Sequence, residues 1–180
     1  MKIIKLLILL LVSCSLSAKA GVVKISGSLK QFGLDRVSMN SDGIAAEVYH
    51  DRTIEIILDS NGRFDLKLKL KQPAYYKVGH NTLYLTPGDD LEIIFNRNTT
   101  KTTFNGKGIE ANNYLRNSAK LSGWEIAKIG RELNEFGLPK EKVSFEVYRY
   151  KVDSIVDASL DALAHLTAVT PEFRELEQIR

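Results

Sequence analysis

Cysteine is the scarcest chemistry in this chain. There is one, Cys14, among 180 residues. A single cysteine excludes an internal disulfide framework, a Cys-x-x-Cys redox pair and a cysteine-rich zinc site. Prolines number four, and there is one tryptophan. No apolar run reaches the about 20 residues that a membrane-spanning helix needs. An excess of one charge is also missing. The formal charge is +3, from 25 basic and 22 acidic side chains. Lys2, Lys5 and Lys19 fall in the first twenty residues, which hold no acid, so the rest of the chain carries 22 of each sign. A neutral body offers no electrostatic attraction for nucleic acid, and none is expected as a partner. What is present, 44% hydrophobic and 26% charged, is the composition of a globular domain.

The first twenty residues read as a signal peptide. Two lysines precede or interrupt the short apolar run that ends at Val12. Two cleavage sites compete. Ala18-Lys19-Ala20 before Gly21 fits the small-x-small rule, whereas Leu11-Val12-Ser13-Cys14 resembles a bacterial lipobox. On the second reading Cys14 is lipidated and tethers the chain to a membrane surface. Both readings place the protein outside the cytoplasm, in the bacterial periplasm or as an outer-membrane-anchored lipoprotein.

Residues 21–106 carry strand signals. Alternating or apolar runs open at Val22, Val37, Ile54, Phe64, Tyr75, Leu83 and Leu91, with a last short run at 102–104. Asp59-Ser60-Asn61-Gly62 between Ile54–Leu58 and Phe64–Leu70 predicts a hairpin, because Asn-Gly supplies the positive φ of a tight turn. Gly79-His80-Asn81 predicts another between Tyr75–Val78 and Leu83–Leu85, and Pro87-Gly88 a type II turn. Seven or eight short strands without intervening helices predict an antiparallel β-sandwich.

From residue 107 the apolar period lengthens. Leu115, Ala119, Ile126, Ile129, Leu133 and Phe136 suit one helix face, interrupted near Gly123 and stopped by Gly137-Leu138-Pro139. Tyr148, Val152, Ile155, Ser159, Leu163 and Leu166 form a second stripe, and Thr170-Pro171-Glu172 starts a third helix. The fold class is therefore α+β: a β-sandwich over 21–106, then a region of two or three helices over 107–180. The third segment reaches Arg180 without a cap, which reads as leading into a further domain.

Chemistry-bearing motifs are thin. His50, His80 and His165 are scattered, without HxH, HExxH or paired-carboxylate spacing, and no metal site is expected. No serine sits in a nucleophile elbow. Gly106-Lys107-Gly108 is too short for a phosphate loop and reads as a connector. Asp89 and Asp90 after the Pro-Gly turn read as solvated loop acids that bond local backbone rather than as a cation site. Tyr75, Tyr76 and Tyr84 are candidates for a ligand surface, against the plainer reading of cross-strand aromatic pairs. No catalytic residue and no cofactor is expected.

One ordered set of segments resembles a known family. It runs Ile25-Ser26-Gly27, Ile57 to Phe64, Pro73-Ala74-Tyr75-Tyr76, Leu85 to Ile93, then Phe104 to Gly108 with Asn112, Asn113, Tyr114 and Leu115. Thr170 to Glu177 follows. This order is similar to the N-terminal β-domain and helical linker of exported TlpA-like thiol–disulfide oxidoreductases of Gram-negative envelopes, and it covers residues 22–180. In that family a thioredoxin-fold domain with the catalytic Cys-x-x-Cys follows. The present sequence has no such pair, so no residue in it can take the redox role. The resemblance implies a non-catalytic accessory domain that positions, dimerises or delivers substrate to a C-terminal thioredoxin-fold partner. The alternative is a stand-alone envelope binding module for a peptide or glycan.

Overall fold

The computed structural model describes residues 20–42, 53–118, 129–133 and 139–179. The leader with Cys14, and also His50, Ala119, Gly123, Ile126, Phe136 and Gly137-Leu138, lie outside the described residues. The architecture is α+β, as the sequence predicts.

Eight strands form two open four-stranded sheets. They are β1 (Gly21–Ser28), β2 (Arg36–Asp42), β3 (Ile54–Ile57), β4 (Arg63–Leu70), β5 (Ala74–Val78), β6 (Asn81–Leu85), β7 (Asp90–Ile94) and β8 (Thr103–Lys107). One sheet has the order β4-β1-β7-β8 and the other β3-β2-β5-β6. Side chains from both sheets, among them Ile25, Leu91 and Ile93 from one and Met39, Val78 and Leu83 from the other, belong to a single buried cluster. Each such burial contributes about 1.5–3 kcal/mol, which makes this cluster the main source of stability. β4 shows the cause most plainly. Phe64, Leu66, Leu68 and Leu70 pack with the cluster, while Asp65, Lys67 and Lys69 between them stay in water.

Two expectations about pairing are corrected. The segments flanking Asp59-Ser60-Asn61-Gly62 do not form a two-stranded hairpin: β3 pairs with β2, and β4 with β1. The turn itself is tight. Asp59 Oδ1 accepts from Asn61 N and Arg63 N, both at 2.8 Å, and Gly62 has φ 73°. Beyond it the strands diverge, because Leu29 N bonds Gly62 O on one side and Leu58 N bonds Asp35 O on the other. A Cβ on Gly62 would lie 2.7 Å from Lys30 Cα. Ile56 and Phe64 thus enter one core from different sheets. The pairing is also not wholly antiparallel. β1 and β7 run parallel, Lys24 opposite Asp90 and Ser28 opposite Ile94. The Pro87-Gly88 turn returns the chain to the end of the sheet where β1 begins, with Gly88 at φ 91° and Lys24 N bonded to Asp89 O.

Beyond β8 come α1 (Ile109–Asn117), the short pair β9 (Arg131–Leu133) and β10 (Pro139–Lys142), then α2 (Phe145–Ala164) and α3 (Pro171–Ile179). The expected helix through Leu133 is overturned. α1 stops at Asn117, and Leu133 pairs with Pro139 in a strand ladder. Gly130 inside the apolar pattern costs a helix about 1 kcal/mol relative to alanine. Val143 N bonds Gly130 O and closes the pair instead. No helix among the described residues is long and apolar enough to cross a membrane.

α1 packs on β6, an edge strand, with Ala111, Tyr114 and Leu115 in one buried cluster with Tyr84, and one polar side chain joins the two. Asn112 is fully buried. Its Oδ1 accepts from Tyr84 N at 2.9 Å, and its Nδ2 donates to Tyr84 O and Gly108 O, each at 2.9 Å. The amide thus presents to β6 the donor and acceptor that another strand would offer. Asn112→Leu keeps the branched outline of the side chain and leaves both Tyr84 backbone groups without a partner. At about 1–3 kcal/mol per buried unsatisfied group, the expected loss is about 2–6 kcal/mol. Urea unfolding of the two proteins measures it, and a difference under about 1 kcal/mol would contradict this account.

Candidate functional site

The β5–β6 hairpin puts the three candidate tyrosines on two different faces. Tyr76 alternates inward with Val78, Leu83 and Leu85 and joins the core between the sheets. Tyr75 and Tyr84 are paired across the ladder on the outer face, with ring centroids 4.9 Å apart. Helices cover that face. Phe173 of α3 is fully buried, 4.8 Å from the Tyr84 ring and 5.8 Å from Tyr114 of α1 at an edge-on 87°. Tyr75 Oη donates to Glu177 Oε1 at 2.6 Å. The structure thus brings Tyr75 and Tyr84 together, as a cross-strand pair under a helix, and sends Tyr76 elsewhere.

Burial dominates the chemistry of Tyr84. Its phenol is pushed up to about 12 by desolvation, with the carboxylates of Glu172, Asp89 and Glu177 adding to the rise and the Thr170 hydroxyl opposing it. The Tyr84 oxygen makes no hydrogen bond of normal geometry among the described residues. A phenol in that state stays protonated near neutral pH, and its ring packs against Tyr75 and Phe173.

The surroundings of α3 are tied by charge-assisted bonds. The Arg174 guanidinium donates to Leu163 O at 2.7 Å and to the carbonyls of Ala164 and Leu166, so it caps the C-terminal end of α2. The Glu110 carboxylate on α1 accepts from Ala168 N at 2.7 Å and Thr167 N at 3.2 Å. Thr170 Oγ1 caps Phe173 N at 3.2 Å, the N-cap that its place before Pro171 predicts. Sequence reasoning missed Phe173, Tyr114 and Arg174. The helix start at Thr170 was the available signal, since it places Phe173 and Glu177 four residues apart on one face.

A groove of about 570 Å³ opens between α1 and α2. Ile155 and Leu166 line it together with Asn113, Asn117, Ser154 and Ser159. Tyr114 Oη donates to Ser159 O at 3.4 Å and links its two walls. The Glu110 carboxylate also lines it, already bonded to the Thr167 and Ala168 amides, and the remaining amides and hydroxyls offer hydrogen bonds to a ligand.

The remaining candidates stay apart. His80 is exposed in the β5–β6 turn. His165 is exposed at the end of α2, with Nδ1 2.7 Å from Asp161 O. Among the described residues no three His, Cys, Asp or Glu side chains converge on one point. Gly108 begins α1 at φ 98°, the connector expected of Gly106-Lys107-Gly108, and a Cβ there would lie 2.8 Å from the Asp89 carboxyl. Asp90 is exposed and paired with Lys24 at 3.3 Å. Asp89 departs from the solvated reading. It is buried, and its Oδ2 accepts from Thr86 N at 2.7 Å, so it braces the Pro87-Gly88 turn. Comparison with protein-family models, curated proteins and solved structures finds no match for this chain.

Two outcomes follow from this geometry. Phe173→Ala removes the ring between two tyrosines and is expected to cost about 3–5 kcal/mol. In the same variant, ultraviolet titration should show the Tyr84 phenol falling from about 12 toward the ordinary value; an unmoved phenol would mean that α3 does not cover it. The second concerns Asp89, whose carboxyl burial raises above the ordinary range, with the Thr86 amide and Lys107 opposing. A carboxyl raised in the folded state contributes most below its unfolded value of about 3.9, and that contribution is lost as pH rises through the folded value. Asp89→Asn should therefore gain stability relative to the parent between about pH 4 and pH 7. Parallel urea melts across that range measure the trend, and a trend of opposite sign would refute the assignment.

Proposed function

We propose that this chain is a non-catalytic N-terminal accessory module of a cell-envelope, thioredoxin-like thiol–disulfide oxidoreductase. In this reading it holds a redox domain at a fixed distance and angle from the membrane to which Cys14 is attached. One observation carries the proposal. α3 is clamped to the β-sheet body through Phe173 and Glu177 and to the end of α2 through Arg174, yet along one edge it leaves Leu176, 38% exposed, and Ile179, 86% exposed. A clamped helix with an apolar outer edge is suited to carry a neighbouring domain rigidly. The order of segments resembling the TlpA-like β-domain supports the same reading and supplies the identity of the neighbour. Thiol–disulfide exchange needs a thiolate aligned with a disulfide sulfur, so orientation of the redox domain selects its clients. The module contributes that orientation and no bond-making step.

A second reading is favoured by the groove between α1 and α2. An envelope binding module would hold a peptide or glycan there, on the amides and hydroxyls of Asn113, Asn117, Ser154 and Ser159, rather than on the tyrosine hairpin.

A photo-crosslinking residue placed at Ile179 in the full chain, irradiated in living cells, separates the two. The accessory reading expects adducts to a thioredoxin-fold segment containing Cys-x-x-Cys, identified by mass spectrometry. Adducts confined to segments without that motif would overturn it.

A further inference from the structure

From Gly21 onward the chain is neutral, with 22 charges of each sign, yet one sheet face separates them. On β4, β1, β7 and β8 the side chains that point away from the core fall into rows set by the ladder register. Lys67, Lys24, Asp90 and Lys107 form one row across all four strands. Lys69 lies opposite Val22, nearer the start of β1, and the exposed Lys71 follows β4 at the same end. The other half of the face holds Asp65, Glu92 and Arg63. Lysines therefore gather at the end where the chain enters the sheet, with Asp90 as the acid among them.

The fold uses only part of this charge. Lys24 is paired with Asp90 at 3.3 Å, and Lys107 donates to Gly88 O at 3.1 Å. Lys67 sits directly opposite Lys24, a like-charge pair that costs stability. Among the described residues Lys67, Lys69 and Lys71 have no ion pair. Neighbouring acids are engaged elsewhere: Asp89 is buried in the Pro87-Gly88 turn, and Glu110 holds the amides of Thr167 and Ala168. Val22, 47% exposed, adds an apolar side chain beside the lysines. A flat cationic area with an apolar contact complements a layer of anionic lipid headgroups. Chain length places it there. Cys14 precedes Gly21 by seven residues, which span at most about 25 Å. The helices cover the outer face of the other sheet and leave this one open.

We propose that the lysine end of this sheet face docks on anionic phospholipid headgroups. Each lysine near such a surface raises binding about fivefold, so a few of them bind weakly when free in solution. A lipid on Cys14 makes the contact intramolecular and raises its effective concentration. Docking then sets the orientation of the sheet body on the membrane, where the tether alone sets only its reach. The proposal rests on the Cys14 anchor of the accessory reading for proximity, and not on the identity of the neighbouring domain.

The test uses the mature chain purified from cell envelopes, with a fluorophore on Ser26→Cys in the middle of the face, and vesicles that carry a headgroup quencher. Flotation with phosphatidylcholine vesicles reads the Cys14 anchor alone. Quenching is expected to be strong where about one-third of the lipid is phosphatidylglycerol, and weak in phosphatidylcholine. Lys67→Gln with Lys69→Gln should weaken docking about 25-fold. Lys30→Gln with Lys101→Gln removes the same charge at the far end of the sheet and should change docking less than about twofold. Salt near 1 M, with a screening length of about 3 Å, should release the face. Lys71→Gln with Lys107→Gln repeats the first pair should circular dichroism show it misfolded. A chain that fails to float on phosphatidylcholine overturns the anchor only, and docking is then read by flotation on the anionic vesicles. Equal quenching in the two lipids, or equal losses in the near and far pairs of variants, would overturn the proposal.

Discussion

The helical layer depends on the Asn112 amide. An edge strand carries backbone donors and acceptors that must find partners once water is excluded, and a helix cannot offer its own, which are spent internally. Asn112 resolves this for Tyr84 with one side chain that both donates and accepts. Its third bond, to Gly108 O, fixes the amide relative to the first turn of α1. Because α1 is fixed, Glu110 on it can hold the backbone of Thr167 and Ala168, and that loop delivers α3. Phe173 then closes over Tyr84, the residue whose backbone Asn112 had engaged. One residue of β6 is thus bound through its backbone by α1 and through its ring by α3. All five residues of β6 are buried, although the strand is an edge of its sheet.

Much of this was legible in the sequence, and the rest was hidden for identifiable reasons. The eight strands and their turns were legible because period-two burial and φ requirements are local. Leu66 and Leu68 face the core whichever sheet β4 joins. Sheet membership was not legible. An Asn-Gly turn specifies a reversal but does not say whether the two arms stay paired, and here contacts from Lys30 and Asp35, distant in sequence, pull the arms apart. The parallel β1–β7 ladder is non-local in the same way. The stretch around Leu133 failed because widely spaced apolar residues fit a helix and a short strand pair equally well. Asn112 and Asp89 were opaque because polar residues default to solvent in any sequence reading. Their burial follows only once Tyr84 and Thr86 are seen to need partners.

The tyrosine hairpin shows why a candidate site and a packing surface look alike in sequence. Paired aromatic rings on an outer strand face suit a flat ligand and an amphipathic helix for the same reason, since both offer apolar area with a polar edge. The distinction lies in whether another part of the chain supplies the complement. Phe173 supplies the ring and Glu177 the acceptor for Tyr75 Oη. Among the described residues the helices leave open the groove between α1 and α2, the edge of α3 and the exposed apolar side chains of α2, while Ile57 and Ile94 stay exposed on the strands.

α2 and α3 divide the labour differently. α3 has nine residues, too few to be helical alone, and owes its order to Phe173 and the bonds that Arg174 makes to α2. α2 has twenty residues and a Ser144 N-cap, which accepts from Val147 N at 3.3 Å, but only Leu163 is buried along it. A helix of that length is marginal in water without tertiary cover. Arg174 holds its C-terminal end; besides the half-buried Tyr148 and Val152, the first half has as polar supports among the described residues the N-cap and the Arg149–Asp153 pair. Each is worth about 1 kcal/mol or less.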